Sequence, residues 1–203
     1  MDRKQAEKER PRYAIMGGTF DPIHFGHLAA AETVREVLQC EKVIFIPSGN
    51  PPHKTNRVLT QAQRRYAMTV AAIENNPYFE VSDIEIYRNG YTYTLDTFNE
   101  LEAYFENKVE LLFITGADAL LEVETWYKAE ELLKRCSFAA VTRPGYDKSK
   151  LEQKLHELQS KYGSSLFIVD VPGLNISSTD IRDRIKRGSS IKYLVPESIE
   201  QYI

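Results

Sequence analysis

Short apolar runs alternate along the chain with longer segments of helical periodicity, and this alternation limits the possible folds more than any other feature. Largely apolar runs occur at Tyr13 to Met16, Val43 to Ile46, Val109 to Thr115, Ser137 to Thr142 and Leu166 to Val171, and Phe79 to Tyr87 alternates like a strand. Largely apolar strands of this kind suit a sheet that is covered on both faces.

Helical patterns fill the intervals between these runs. They comprise Leu28 to Leu38, about Thr60 to Asn75, the repeat of Leu95, Phe98, Leu101 and Phe105, and the amphipathic pattern of Leu151, Leu155 and Leu158. The repeated strand–helix order predicts one parallel, doubly wound α/β sheet. The sequence has no internal repeat and no linker, so we expect residues 13–203 to form a single domain after a charged tail of residues 1–12.

Composition argues against several classes of protein. With 42% hydrophobic and 27% charged residues, the 203-residue chain has the makeup of a folded globular domain. Its formal charge of −3, from 26 basic and 29 acidic residues, provides no cationic field to hold nucleic acid. No stretch approaches the roughly 18 apolar residues of a membrane span, and residues 1–12 lack the apolar core of a secretory signal.

The two cysteines indicate the redox setting. Cys40 and Cys136 lie far apart in the chain and belong to no CxxC pair. We therefore expect two buried, reduced thiols in a cytoplasmic protein. The composition predicts no nucleic-acid or membrane partner and leaves the oligomeric state open, homo-oligomers included.

The loop after the first strand, residues 17–27, carries the most specific chemistry. Its two leading glycines allow a sharp turn and let a phosphate approach the backbone amides, and the next helix directs its positive end to the same place. His24 and His27 share one face if the first helical turn includes both, and could donate hydrogen bonds to phosphate oxygens. A zinc site would need further ligands, but only His53 and His156 remain among the histidines and no HExxH pattern occurs.

These residues, GGTFDPIHFGH, resemble the signature loop of the nucleotidylyltransferase superfamily, which is marked by an HxGH element. From Tyr13 onward the chain is similar to the bacterial nicotinate mononucleotide adenylyltransferases. The resemblance implies a Rossmann-like, mainly parallel sheet with a small C-terminal helical region. It also implies magnesium-dependent transfer of the adenylyl group of ATP to nicotinic acid mononucleotide, with release of pyrophosphate and with direct attack on the α-phosphorus. The residues of this loop that it assigns to ATP are Gly17, Gly18, Thr19, Phe20, His24 and His27, the two histidines being catalytic.

Two further motifs are expected to hold phosphates. Residues 50–54 (NPPHK) resemble the family's PPHK loop, which places the point charge of Lys54 on a rigid turn. Residues 176–182 (ISSTDIR) carry ordinary helix-start signals, and a helix start with Arg182 one turn inside is also an anion site. They resemble the family's ISSTxIR motif, which implies that Ser177, Ser178 and Thr179 bind ATP and that Lys54 and Arg182 are catalytic.

The binding site for the nucleotide that accepts the adenylyl group is less sharply specified by the sequence. Residues 93–97 (YTLDT), 116–118 (GAD) and 126–127 (WY) resemble family motifs that bind the pyridine nucleotide. The resemblance implies that donors near Thr94 meet the pyridine carboxylate, that Asp118 binds a ribose and that the indole of Trp126 stacks on the pyridine ring. Without the resemblance, Trp126 would be assigned to packing. The substrate-binding residues predicted in this way are Thr94, Gly116, Asp118, Trp126 and Tyr127.

Several assignments and rival functions stay open. Arg143 to Gly145 could frame the adenine, and the roles of Asn50 and His53 are undetermined. Pantetheine-phosphate adenylyltransferases and cytidylyltransferases share the histidine loop, and class I aminoacyl-tRNA synthetases carry an HxGH element, although this chain has no KMSKS-like run. A nucleotide sensor without activity would be expected to lose a histidine or the C-terminal arginine. No protein metal ligand is predicted, because the phosphates of ATP would carry most of the magnesium coordination.

Overall fold

The computed structural model describes residues 10–52, 59–143 and 145–203, and within these ranges the chain forms a six-stranded sheet. The strands are β1 (Arg12–Gly18), β2 (Lys42–Pro47), β3 (Phe79–Val81), β4 (Glu110–Gly116), β5 (Ser137–Thr142) and β6 (Leu166–Asp170). They lie in the order β3-β2-β1-β4-β5-β6, and every neighbouring pair is parallel. This is the strand order of a Rossmann-like sheet, so the predicted fold class is confirmed.

Helices connect the strands and extend beyond the last one. They are α1 (Phe25–Val37), α2 (Ala62–Ile73), α3 (Thr94–Tyr104), α4 (Ala117–Leu121), α5 (Ala129–Arg135), α6 (Ser149–Tyr162), α7 (Ser178–Lys186) and α8 (Glu197–Glu200), with a 3-10 turn at Val123–Thr125. Within the described residues, none of these helices has the length and apolar character needed to cross a membrane.

Each face of the sheet has its own hydrophobic core, because successive strand side chains point to opposite faces. One core joins Ala14 and Phe45 to side chains of α1, α2, α7 and α8. The other joins Ile15 and Ile44 to α3, α4, α5 and α6, and includes the predicted stripe of Leu95, Phe98 and Leu101. Burial on both faces explains why the central residues of β1, β2, β4 and β5 are apolar.

The connection order reverses between β1 and β4, which are neighbours in the sheet although two strands separate them in sequence. The sharp turn predicted at Gly17 and Gly18 is wrong, because β1 continues through both glycines, which pair with Ile46 and Pro47 of β2. Met16 lies opposite Ile114, so the chain segments after Gly18 and after Gly116 leave the sheet from neighbouring strands at the carboxyl edge. In open α/β sheets, ligands bind in the crevice outside this edge.

The strand predicted over Phe79 to Tyr87 is wrong beyond Val81, where β3 ends. The backbone N–H of Ile86 donates to the carbonyl of Asp83 at 2.8 Å and closes a turn. Glu85 and Ile86 are nevertheless buried. The alternating pattern therefore reflects a turn that buries two side chains, a geometry that period-two hydrophobicity cannot distinguish from a strand.

Arg12, expected at the end of the charged tail, is instead the first residue of β1. Its Nε and Nη2 donate to the two carboxylate oxygens of Glu110 at 3.1 Å each, and its Nη1 donates to the carbonyl of Leu38 at 3.0 Å. This bidentate ion pair joins the starts of the adjacent strands β1 and β4.

The core assignment predicts the effect of truncating a central residue. Leu112, in β4, is fully buried, so we expect Leu112→Ala to lower the free energy of unfolding by about 2–5 kcal/mol through lost contacts and the cavity left behind. Leu174, 39% exposed, provides the control, and Leu174→Ala should cost less than about 1 kcal/mol. Urea denaturation measures both, and equal losses would contradict the assignment.

Candidate active site

Phe20 supports the loop that follows β1. It adopts φ +49°, a left-handed conformation, and its ring is only 2% exposed. The ring packs edge-on against His27 with centroids 5.1 Å apart, and tilted against Phe45 at 5.9 Å. Since the side chain is buried in the core, Phe20 can offer a nucleotide only its main chain.

The two loop histidines lie face to face. His24 occupies the N-cap position of α1 and His27 lies in the first helical turn, so the helix begins three residues before the predicted Leu28. The rings stack with centroids 3.7 Å apart and an interplanar angle of 22°. A Cβ at Gly26 would lie 3.0 Å from His24 Nδ1, which explains why glycine separates the histidines.

His24 is held in its neutral form. It is 5% exposed, and its Nδ1 makes no hydrogen bond among the described residues. Burial, with a smaller contribution from the positive charge of Arg143, lowers the pKa of His24 to about 4. A buried polar nitrogen without a partner is costly, and an anion bound beside it would supply that partner.

The C-terminal segment is fastened directly to the histidine loop. Arg182 Nη1 donates to the carbonyl of Asp21 at 2.6 Å and Nη2 to Thr179 Oγ1 at 2.8 Å, while Ser178 Oγ donates to the carbonyl of Pro22 at 2.9 Å. Ser177 caps α7 by accepting a hydrogen bond from the N–H of Asp180 at 3.1 Å. The positive end of α7, the histidine stack and Arg182 thus converge on one place suited to phosphate.

Arg143 adds a second positive charge to this place. It follows β5, is exposed, and donates from Nη1 to Asn175 Oδ1 at 3.1 Å. The positive charge of Arg143 contributes to the lowered pKa of His24, so Arg143 lies close enough to the histidine loop to affect it. The sequence left its role undetermined, because residues after β5 and after β1 become neighbours only in the folded sheet.

Two of the three motifs predicted to bind the acceptor nucleotide are in contact with each other. Tyr93, the N-cap residue of α3, stacks on Tyr127 with centroids 4.3 Å apart and an angle of 25°. This contact brings Thr94 beside the segment of Trp126 and Tyr127. The half-buried indole of Trp126 packs edge-on against Phe138 with ring centroids 6.4 Å apart, so it is anchored in the core.

The third acceptor motif follows β4. Gly116 is the N-cap residue of α4 and Asp118 lies in its first turn, both exposed at the sheet edge. Asp118 Oδ1 accepts a hydrogen bond from the hydroxyl of Tyr146 at 3.2 Å. Asp118 thus follows the end of β4, the strand that pairs with β1 in the sheet.

Some predicted residues cannot be compared with the structure. His53 and Lys54 lie outside the described residues. Asn50, immediately before them, accepts a hydrogen bond at its carbonyl from the N–H of Thr92 at 3.0 Å. The acceptor segment that includes Thr94 is therefore tied to the chain that leaves β2.

Arg65, the largest fully buried side chain of the described structure, belongs to none of the motifs predicted from the sequence. It shares the buried face of α2 with Met68, Thr69 and Ile73. Met68, Thr69 and Ile73 follow Arg65 by three, four and eight residues, which is the spacing of one helix face. This spacing could have identified Arg65 from the sequence, since an arginine on the apolar face of a helix needs a buried polar partner.

Comparison with known proteins places the chain in a recognised group. A family model described as Cytidylyltransferase-like matches residues 15–184. A probable nicotinate-nucleotide adenylyltransferase of Thermoanaerobacter sp. (strain X514) is 55% identical over 95% of this chain and 91% of the relative. One from Moorella thermoacetica is 50% identical over 95% of this chain and 88% of the relative.

A solved structure has the same fold. It is the Plasmodium falciparum nicotinic acid mononucleotide adenylyltransferase complexed with NaAD, which aligns with a TM-score of 0.76 and 20% identity over 95% of this chain and 94% of that chain. At this identity the likeness establishes the shared architecture alone.

The environment of His24 predicts its titration. In the free protein we expect its imidazole to titrate at a pKa of about 4. Because the unfolded chain binds this proton near pH 6.5 and the folded chain only near pH 4, this residue reduces stability as the pH falls between those values. A bound polyanion should raise the pKa, since negative charge favours the imidazolium.

Nitrogen–proton correlation NMR between pH 3.5 and 8, with and without pyrophosphate, measures this pKa. The His24→Gln variant identifies the signal. A His24 pKa of 6.5 in the free protein would contradict the described burial.

Proposed function

Since the chain belongs to the cytidylyltransferase-like family, and within it to the nicotinate-nucleotide adenylyltransferases, we propose that it transfers the adenylyl group of ATP to nicotinic acid mononucleotide. The products are nicotinic acid adenine dinucleotide and pyrophosphate. The observation that carries this proposal is the convergence of the stacked histidines with the N-terminus of α7, one strand away from Gly116 and Asp118.

The reaction is a direct displacement at phosphorus. An oxygen of the acceptor's phosphate attacks the α-phosphorus of ATP and forms the new P–O bond, while the bond from the α-phosphorus to the bridging oxygen breaks and pyrophosphate leaves. A phosphate nucleophile is already ionised near neutral pH, so the step needs no general base. Catalysis then depends on aligning the two substrates and stabilising the charge that develops on the phosphates.

The histidine stack suits the α-phosphate. His24 is neutral at neutral pH, so an imidazole N–H can donate to a phosphate oxygen. His27, fixed between Phe20 and His24, would contact the same phosphate or its bridging oxygen.

The leaving pyrophosphate is assigned to the C-terminal motif. The first amides of α7, at Ser178 and Thr179, have no acceptor inside the helix and are oriented by the cap of Ser177. Arg182 is fixed by Asp21 and Thr179, so its charge is placed beside the histidine loop before ATP binds. Lys54 is also proposed to bind the pyrophosphate, because residues 50–54 resemble the PPHK loop of the family.

The pyridine nucleotide is assigned to the aromatic side of the crevice. Thr94 begins α3, whose first amides carry partial positive charge and would donate hydrogen bonds to the pyridine carboxylate. Trp126 would stack on the ring, and Asp118 would accept hydrogen bonds from a ribose. A carboxylate can accept from every such donor, whereas an amide must also orient its own NH₂ group, so this arrangement favours the acid over the amide.

Magnesium is proposed to enter with ATP. The described residues contain no group of three His, Cys, Asp or Glu side chains able to hold a metal ion, and a magnesium ion bound by phosphate oxygens and water requires no such group. When bound, the ion neutralises charge on the phosphates. The protein would contribute the histidines, Arg182 and the amides of α7.

A cytoplasmic location is proposed from the two thiols. Cys40 and Cys136 are both buried and neither forms a disulfide. Burial raises the pKa of Cys40 to about 11 and raises that of Cys136 further, so both stay protonated thiols at neutral pH.

Pyrophosphate release with ATP and magnesium tests the proposed reaction. We expect turnover with nicotinic acid mononucleotide and much weaker turnover with its amide, because the donors near Thr94 match a carboxylate. Phosphopantetheine serves as the acceptor of the related adenylyltransferases and should be inactive. Equal use of the amide would refute the acid preference, and the absence of activity with every acceptor would favour a nucleotide sensor.

Removing one phosphate donor tests the role of the histidine loop. We expect His27→Ala to lower kcat about 100- to 1000-fold, because a donor aimed at transition-state charge is lost. His156→Ala, on the exposed side of α6, is the control and should keep normal turnover. Circular dichroism verifies folding, and normal kcat in folded His27→Ala would overturn the assignment.

A further inference from the structure

Arg65 is a buried cation outside the set of residues assigned above to substrates. It lies on α2 and is 1% exposed. Burial lowers the pKa of Arg65, and the negative charges of Asp21 and Glu85 oppose that shift. An arginine stays protonated even when buried, so its position demands several hydrogen-bond acceptors.

The guanidinium makes its hydrogen bonds with main-chain carbonyls of three separate segments. Nη1 donates to Thr19 at 2.6 Å, Nη2 to Ser48 at 2.6 Å and to Gly49 at 3.3 Å, and Nε to Thr60 at 2.9 Å. Thr19 belongs to the loop after β1, Ser48 and Gly49 follow β2, and Thr60 precedes α2. One planar group therefore connects the ends of two strands with the start of a helix.

The segment after β2 also contacts residues 85–97, which lead into α3 and include Thr94. A Cβ on Gly49 would lie 2.0 Å from the carbonyl oxygen of Glu85, so the two backbones are in direct contact. The carbonyl of Asn50 accepts from the N–H of Thr92 at 3.0 Å. Glu85 Oε1 accepts from the hydroxyl of Thr97, in α3, at 2.6 Å. Movement at Ser48 and Gly49 would thus shift the segment that carries Thr94.

We propose that Arg65 is a positioning residue that sets the separation between the ATP loop at Thr19 and the acceptor segment at Thr92 to Thr97. This inference rests on the proposed adenylyl transfer. It assigns Arg65 no contact with either substrate. Its role is to hold the two binding segments so that the acceptor phosphate meets the α-phosphorus in line.

The shape of the side chain supports this role. A guanidinium is a rigid planar fork whose N–H groups point outward in fixed directions, and these reach Thr19, Ser48 and Thr60 at once. A lysine in the same place keeps the charge but has a single, rotatable donor centre. Lysine at this position would therefore leave at least one of the three segments without its partner.

The kinetics of Arg65→Lys test the proposal. We expect the KM values for ATP and for nicotinic acid mononucleotide to stay within about threefold of the wild-type values, because each substrate keeps its own binding groups. We expect kcat to fall roughly 10- to 100-fold, because small misplacement of reacting groups has effects of that order. The kcat and kcat/KM values should then fall together.

Arg64→Lys is the matched control, since Arg64 is the exposed neighbour on the same helix and donates to the carbonyl of Tyr202 at 2.9 Å. It should keep normal kcat. Activities are expressed per folded molecule, at a temperature well below the unfolding midpoint of each variant, so lower stability alone cannot reduce kcat. Arg65→Gln, which keeps an amide donor without the charge, serves if the lysine variant does not fold.

The outcomes separate this inference from the proposed function. Inactive wild-type protein would reject the reaction itself. Active wild type with normal kcat in folded Arg65→Lys would overturn the positioning role, even if the unfolding midpoint fell. A raised KM for one substrate with unchanged kcat would assign Arg65 to that substrate's pocket and also overturn it. If neither variant folds, Arg65 is a folding residue and the proposal fails.

Discussion

Parallel pairing of β1 with β4 is the constraint on which the rest of the molecule depends. It places the end of β1 at Gly18 beside the end of β4 at Gly116, at one edge of the sheet. Parallel strands require crossover connections, and here these bury both faces of the sheet under helices. The edge where the strands end is then the natural place for a binding crevice, and both proposed substrate subsites lie along it.

Backbone groups supply most of the polar chemistry of this crevice. The N-termini of α7 and α3 present backbone amides, which can bind anions without long, flexible side chains. The few side chains involved are held before any ligand binds. His27 lies between Phe20 and His24, and Arg182 is fixed on the carbonyl of Asp21. Such preorganisation is what charge stabilisation in a transition state requires.

Buried polar groups in this protein play different physical parts. Burial keeps His24 neutral, and its Nδ1 makes no hydrogen bond to any described residue. This nitrogen is therefore available to bind an anion. Arg65 cannot give up its charge and is instead surrounded by carbonyl acceptors. One arrangement leaves capacity for a ligand, and the other holds three segments of the chain together.

The sequence by itself determined the α/β class, through largely apolar strand runs that alternate with helical patterns. It also picked out the histidine loop and the C-terminal segment proposed to bind phosphate, because the residues of each are close in sequence. Only the tertiary structure decided the end of β3 at Val81, the stacking of Tyr93 on Tyr127, and the hydrogen bonds of Arg65. Helix and strand periodicity is a local property that short-range sterics and burial impose on neighbouring residues. The contacts of Arg65 join Thr19 and Ser48, which are distant in sequence, and depend on how the strands order themselves in the sheet.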